Sequence, residues 1–233
     1  MPAQIIAIDG PVASGKSSIG KRLADRLGYL FFDTGVMYRA VTYLALRELG
    51  SAQDTQAVTV LAERAHIDII ASAVDDGRDS TILAGIGAPG QVAELLEDIT
   101  WASRAKDVED SVSLVAAMPE VRRILTEQMR RVGLRRRVVM VGRDVGTVIL
   151  PEADLKVFLT ASVETRAQRR FDELAGRGQA RQLADVLANL QERDRIDSTR
   201  RVAPLRPAPD AVVFDTTDMS LEDVLERIEQ LAK

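Results

Sequence analysis

Gly10-Pro11-Val12-Ala13-Ser14-Gly15-Lys16-Ser17 fits G-x-x-x-x-G-K-[ST] at every fixed position. It follows the apolar run Ile5-Ile6-Ala7-Ile8 and precedes a stretch from Ser17 to Leu27 in which Ile19, Leu23, Ala24 and Leu27 keep helical spacing. Strand, glycine-rich turn and helix N-terminus in that order make an anion cradle. The glycines let successive N–H groups converge on phosphate oxygens, and the helix dipole adds to the attraction. Lys16 reaches the terminal phosphates, and Ser17 is placed to ligate Mg²⁺. The implied ligand is a Mg-nucleoside triphosphate held along Gly10, Pro11, Val12, Ala13, Ser14, Gly15, Lys16, Ser17 and Ser18. The motif leaves ATP and GTP open, but the sole asparagine, Asn189, precedes Leu190, so no Asn-Lys-x-Asp guanine loop exists. His66 precedes Ile67, which excludes the His-Arg-Asp loop of protein kinases.

Outward from this loop, Tyr29 to Phe32 is a second apolar run, closed by Asp33-Thr34-Gly35 and followed by a helical pattern through Val41, Leu44, Ala45 and Leu49. Alternation of strand and helix predicts a parallel sheet. Asp54 to Arg64 reads as a helix. Ile67-Asp68-Ile69-Ile70 and Thr81-Ile82-Leu83-Ala84 then flank Asp75-Asp76-Gly77, a hairpin signature inside an α/β chain. Val92 to Asp110 reads as helical and charged. Pro119 to Arg131 is a helix with proline in its first turn, and Val138 to Val141 and Val157 to Leu159 are buried strands. Ser162 to Ala175, Ala180 to Arg195 and Leu221 to Leu231 read as helices, and Val212 to Phe214 as the last of five strands that suit one parallel sheet.

Composition bounds the chemistry. The 233 residues carry 31 basic and 35 acidic groups, a net charge of −4, which excludes a globally basic nucleic-acid binder. There is no cysteine and one histidine, so disulfides, thiol nucleophiles and multi-histidine metal sites are all excluded. The expectations are a cytoplasmic protein with no membrane span and no leader. Twenty-six of the basic residues are arginine, and those outside motifs are expected to be solvated surface residues. Arg130-Arg131 and Arg135-Arg136-Arg137 look like an RNA patch, yet a helix C-terminus naturally attracts cations. Gly85-Ile86-Gly87-Ala88-Pro89-Gly90 matches the dinucleotide string G-x-G-x-x-G, but it lies in the hairpin segment and lacks a surrounding βαβ unit, so a flexible exit from the hairpin is the better reading. His66 reads as a strand-edge residue.

Four blocks occur in order: the phosphate loop, Asp33-Thr34-Gly35-x-x-Tyr38-Arg39, Gly142-Arg143-Asp144-x-Gly146-Thr147, and Arg193-Asp194-x-x-Asp197-Ser198-x-Arg200. Together they resemble the bacterial cytidylate kinases, from Ile5 to the terminal helix. The resemblance implies a P-loop nucleoside monophosphate kinase fold. A five-stranded parallel sheet is flanked by helices and carries an inserted monophosphate-binding subdomain, with a small antiparallel sheet, and a helical lid. The implied division is a core of residues 1–64, 113–170 and 191–233, an insert near 65–112 and a lid near 171–190. The implied reaction is phosphorylation of CMP, and of dCMP, by ATP with Mg²⁺, in a monomer that binds neither nucleic acid nor membrane.

Phosphoryl transfer to another phosphate asks for positioning and charge neutralisation more than for a strong base. Arginines suit this task because the guanidinium forks onto phosphate oxygens. The resemblance gives catalytic roles to Lys16, Arg143, Arg193 and Arg200, and acceptor-binding roles to Thr34, Arg39, Ser113, Arg122, Arg143, Asp144, Arg193, Asp197 and Arg200. Ser113 and Arg122 fall on the base, Asp144 accepts from the cytosine amine, and Asp197 with Arg193 meets the ribose hydroxyls. The competing readings are a helix N-cap for Ser113 and a structural ion pair for Asp144. Asp33 is placed to approach Mg²⁺ through water beside Ser17, although Asp-Thr-Gly is equally a plain turn sequence. The Val92 to Asp110 segment departs from the family pattern, and Arg104 there is a candidate phosphate or insert-closing arginine. The lid segment Gly176-Arg177-Gly178-Gln179-Ala180-Arg181 is glycine-flanked and arginine-bearing. Rival functions are kinase activity on another nucleoside monophosphate or a small hydroxylated metabolite such as shikimate, and a non-catalytic RNA-associated P-loop protein.

Overall fold

Strands covered on both faces need apolar side chains pointing both ways, and two segments meet that demand, one of them up to its closing aspartate. Ile5–Asp9 (β1) and Val138–Gly142 are buried at every position. The computed structural model describes residues 2–74, 79–88, 91, 93, 95–135, 137–176, 178 and 181–233. After β1 come α1 (Lys16–Leu27), β2 (Leu30–Asp33), α2 (Gly35–Leu49), α3 (Thr55–Arg64), β3 (Ala65–Ile70), β4 (Thr81–Ile86), β5 (Glu97–Asp98), α4 (Lys106–Ala117) and α5 (Pro119–Gly133). The chain continues with β6 (Val138–Gly142), β7 (Leu155–Thr160), α6 (Val163–Gly176), α7 (Leu183–Thr199), β8 (Val212–Asp215) and α8 (Leu221–Ala232). The expected five-stranded parallel sheet is present, in the order β2-β6-β1-β7-β8, with a separate three-stranded antiparallel sheet β3-β4-β5.

Two compact units divide the chain. One comprises Met1–Tyr29 with Arg137–Lys233, the other Leu30–Arg136. In the first, β1 pairs in parallel with β6, Asp9 opposite Gly142, and with β7, Asp9 opposite Phe158. The chain runs from β1 to β2 on one side of it, and from β6 across β1 to β7 and β8 on the other, which makes the C-terminal end of β1 a topological switch point, where open α/β sheets bind ligands. Helix α8 closes this unit. Ser220 caps it by accepting from Asp223 N at 3.1 Å, and Val224, Leu225 and Ile228 are turned inward.

In the second unit α3 is capped by Asp54, which accepts from Gln56 N and Ala57 N, both at 3.0 Å. Of the expected helix over 92–110, Val92 and Glu94 lie outside the described residues, 106–110 are helical, and 95–105 depart from it. Asp98 accepts from Thr100 N and Oγ1 at 3.0 and 2.6 Å, while Thr100 Oγ1 accepts from Ile82 N at 2.9 Å. These local bonds compete with helix formation and hold the short strand β5 on β4, so the helix α4 begins only at Lys106. Gly85 belongs to β4, where a side-chain carbon would come within 2.2 Å of Leu95 O; close backbone approach is the reason for that glycine. Pro89 and Gly90 of the dinucleotide-like string lie outside the described residues, as does the Asp75-Asp76-Gly77 turn. Among the described residues no helix is long and apolar enough to cross a membrane.

Helix α8 gives a direct test of this packing. Ile228 is fully buried whereas Leu231 is 47% exposed. Ile228→Ala is expected to destabilise the protein by about 2–5 kcal/mol and Leu231→Ala by less than about 0.5 kcal/mol, measured as urea-unfolding midpoints.

Candidate active site

The phosphate loop occupies the end of β1. Gly10 has φ 157°, and a side-chain carbon there would lie 2.2 Å from Leu159 O on the neighbouring strand, so only glycine lets the loop leave the sheet at this point. Ala13 takes a left-handed φ of 60°, and Gly15, at φ 89°, is the N-cap of α1. Lys16 folds back to donate to Pro11 O at 2.9 Å, and Ser17 and Ser18 stand exposed on the first turn. Ser14 is fully buried, and its hydroxyl has no hydrogen-bond partner among the described residues.

Because Asp9 and Gly142 are register partners, the turn after β6 stands beside this loop. Arg143 donates to Asp197 on α7, and Arg200 at the end of α7 lies 3.4 Å from Asp197 and 3.7 Å from Asp144. Arg143, Asp144, Asp197 and Arg200 are therefore one cluster in the first unit, and Arg193 is exposed on the same helix α7, one turn before Asp197. This arrangement places two guanidinium groups on two carboxylates close to the phosphate loop. A phosphate that exchanged for those carboxylates would meet donors already in place.

Asp9, to which sequence reasoning gave no role, is the buried acid of this region. Its Oδ1 accepts from Val145 N and its Oδ2 from Gly146 N, each at 2.8 Å. Burial pushes its carboxyl up to about 6; the two amides and Lys16 oppose that rise, and Asp144 adds to it. A folded-state value above the unfolded one means that this group favours folding most below the unfolded value near 3.8, and that this contribution is lost as pH rises through about 6. The signal for it was an acidic residue closing an otherwise wholly apolar strand.

Arg166 was also missed, and the expectation that arginines outside motifs are solvated fails for it. It is 5% exposed on α6. Its guanidinium donates to Asp194 at 2.6 and 3.2 Å, to Ala161 O at 3.0 Å and to the phosphate-loop carbonyl of Val12 at 3.2 Å. A small apolar cluster of Ala167, Val186 and Leu190 packs Val12 from the same side, so α6 and α7 grip the loop by side chain and by backbone. The burial is tolerated because the charge is paired and the donors are used.

The second unit holds the remaining candidates. Thr34 is buried as the N-cap residue of α2, without a side-chain cap bond, and Asp33 Oδ1 accepts from Gly35 N at 2.9 Å. Arg39 is half-buried on α2 and, among the described residues, has no carboxylate partner. Arg122 on α5 lies over the Tyr38 ring at 5.4 Å and donates to Ala116 O at 3.3 Å. Ser113 is exposed within α4, eight positions past its N-cap Ala105, which removes the N-cap reading. Arg104 lies over Trp101 at 5.1 Å and 3.9 Å from Asp79. Two of the arginines that suggested an RNA patch have structural uses in this unit. Arg131 donates to Ile67 O and meets His66 Nε2 on β3, and Arg135 forks onto Asp68. Arg136 lies outside the described residues, as do Arg177, Gln179 and Ala180 of the lid segment.

A phosphate loop with its lysine at the switch point of a parallel sheet, beside clustered arginines, defines a P-loop phosphotransferase of the nucleoside monophosphate kinase class. The family model described as Cytidylate kinase matches residues 6–233. Cytidylate kinases from Herpetosiphon aurantiacus, Streptococcus equi subsp. equi and a Geobacillus species are 45%, 42% and 42% identical to the chain. Those alignments cover 96%, 100% and 97% of this chain and 91%, 97% and 95% of the relatives. The chain belongs to the cytidylate kinase family.

Arg166 offers a test of the grip on the loop. Arg166→Ala leaves Asp194 without its partner and is expected to cost about 3–5 kcal/mol in denaturant unfolding. Arg166→Lys, which keeps the charge and loses the fork, is expected to raise KM for ATP more than KM for CMP in steady-state assays.

Proposed function

We propose that the protein transfers the γ-phosphoryl group of ATP to CMP, giving ADP and CDP, and that it accepts dCMP in the same way. The observation that carries this reading is the Arg143–Asp197–Arg200–Asp144 cluster beside the phosphate loop, in a chain of the cytidylate kinase family. An oxygen of the acceptor phosphate attacks the γ-phosphorus as the bond to the β–γ bridging oxygen breaks. Because the acceptor phosphate is already ionised near neutral pH, no general base is needed, and none is assigned. Lys16 and the loop amides hold the donor phosphates, while Arg39, Arg143, Arg193 and Arg200 hold and neutralise the acceptor phosphate and the transferring group. Ser113, Arg122 and Asp144 read the base, Asp144 accepting from the exocyclic amine. Thr34 lines the acceptor site, and Asp197 with Arg193 takes the sugar hydroxyls. Residues 65–112 serve as the acceptor-binding insert, and residues 171–190 as the lid that excludes water over the donor.

The residues present fit Mg²⁺. Ser17 sets a hydroxyl oxygen on the exposed first turn of α1 next to Lys16, and a small hard cation completes its shell with phosphate and water oxygens. Ser17 would hold the ion directly and Asp33 through water, and the bound ion would neutralise charge on the donor phosphates. The proposed setting is the cytoplasm, where both nucleotides are found, and the proposed working form is a monomer.

A coupled ADP-release assay across CMP, dCMP, UMP, AMP and GMP tests the reading. Highest kcat/KM with CMP and dCMP is expected, and equal turnover of all five overturns it. Asp144→Ala strands the base amine and is expected to lower kcat/KM for CMP by about 10- to 100-fold. Lys16→Ala is expected to act mainly on kcat, whereas Arg122→Ala and Asp197→Ala raise KM for CMP; unchanged acceptor kinetics in the latter two count against the mapped pocket.

A further inference from the structure

We infer that Asp9 is a positioning residue for acceptor recognition: it caps the turn that follows β6 from 136 positions away and so keeps the Asp144 carboxylate turned toward the base site. The inference rests on the assignment of Asp144 to the cytosine amine. Residues Val145–Ile149 form one wide, π-type helical turn whose N-cap is Asp144. An aspartate in that position ordinarily bends its side chain onto the second or third amide of its own turn, here Gly146 or Thr147. Asp144 makes no such cap bond; its Oδ1 lies 3.7 Å from Arg200 Nη2. The cap is supplied instead by Asp9, one carboxylate oxygen on each of the first two amides, Val145 N and Gly146 N. A turn start satisfied from outside does not draw on its own N-cap side chain.

The site is built for this contact. Asp9 and Asp144 are both largely buried, at 4% and 6% exposure. Gly146 is buried between Asp9 and the stem of Lys156: a side-chain carbon on it would lie 3.4 Å from Asp9 Oδ2 and 3.3 Å from the Lys156 methylenes. The charged groups facing Asp9 are Lys16 from α1 and Asp144 from the turn. Beneath Gly146, the Lys156 ammonium of β7 is engaged by Asp210 at 2.8 and 3.0 Å. Two amide donors require two acceptor oxygens. Protonation of Asp9, or its replacement by asparagine, sets a donor against one of the two N–H groups, and the turn start then draws on the nearest remaining carboxylate, Asp144.

Asp9→Asn, Asp144→Asn and the unaltered protein are to be compared by steady-state kinetics with CMP, UMP and ATP between pH 5 and 9. The ¹⁵N–¹H shifts of Val145 and Gly146 are to be followed without nucleotide, because the phosphate of CMP itself titrates near 6. In Asp9→Asn, KM for CMP is expected to rise about tenfold with a reduced CMP-over-UMP preference, while KM for ATP changes less than about twofold. In the unaltered protein both amide shifts are expected to move together with a midpoint about 6, and that movement is expected to vanish in Asp9→Asn. A higher KM for ATP with acceptor kinetics unchanged assigns Asp9 to the phosphate loop and overturns the inference. Val145 and Gly146 amide shifts that are the same in Asp9→Asn as in the unaltered protein overturn it as well. If Asp144→Asn leaves the CMP preference unchanged, the assignment of Asp144 has failed; if Asp144→Asn alters that preference and Asp9→Asn does not, the capping inference alone has failed.

Discussion

The pairing of β1 with β6, Asp9 opposite Gly142, is the constraint on which the rest of the first unit depends. Parallel strands in register end at the same edge, so the two loops that leave them emerge side by side. One loop must bind phosphate through backbone amides, and the other must present Arg143 and Asp144. A slip of one residue would turn Asp9 to the opposite face and away from the Val145 and Gly146 amides it caps, so the register is held at that end. The geometry of the chemistry is thus fixed by strand register and by a capping carboxylate.

Charge is managed by the same economy. A chain of net charge −4 must concentrate cations where phosphates gather, yet buried guanidinium groups are costly unless paired. Arg143 and Arg200 share Asp197 and Asp144, and Arg166 is held by Asp194 on the same helix. Helix α7 therefore carries carboxylates of two kinds. Asp194 fixes the helix against α6 and the phosphate loop, and Asp197 meets the arginines of the site.

Much of this was legible in the sequence, for physical reasons that differ by element. Central strands announce themselves as continuous apolar runs, and the phosphate loop as a spacing that only an anion cradle requires. The helix expected over Val92 to Asp110 holds only from Lys106, because the Asp98–Thr100–Ile82 bonds, partly tertiary, decide against one before it. Arg166 was misread because burial of an arginine depends on partners 28 and 154 positions distant, Asp194 and Val12, which no local pattern encodes. Of the candidate site residues, Arg143, Asp144, Asp197 and Arg200 come together in one unit. Asp9 stayed hidden because its partners are backbone amides, which leave no mark in the residue string.

The discontinuity of the first unit carries a cost during synthesis. Its opening segment, Met1–Tyr29, contains β1, and the strands that flank β1 lie in Arg137–Lys233. At roughly 5–20 residues per second the ribosome needs on the order of 10 s to make the intervening segment, and for that time an apolar strand emerges with neither neighbour available. The contacts internal to Leu30–Arg136, by contrast, lie within one uninterrupted stretch. Nascent chains of this protein are therefore most exposed to aggregation while β1 waits for β6 and β7, and a chaperone that shields Ile5–Asp9 protects the strand that the two later ones flank.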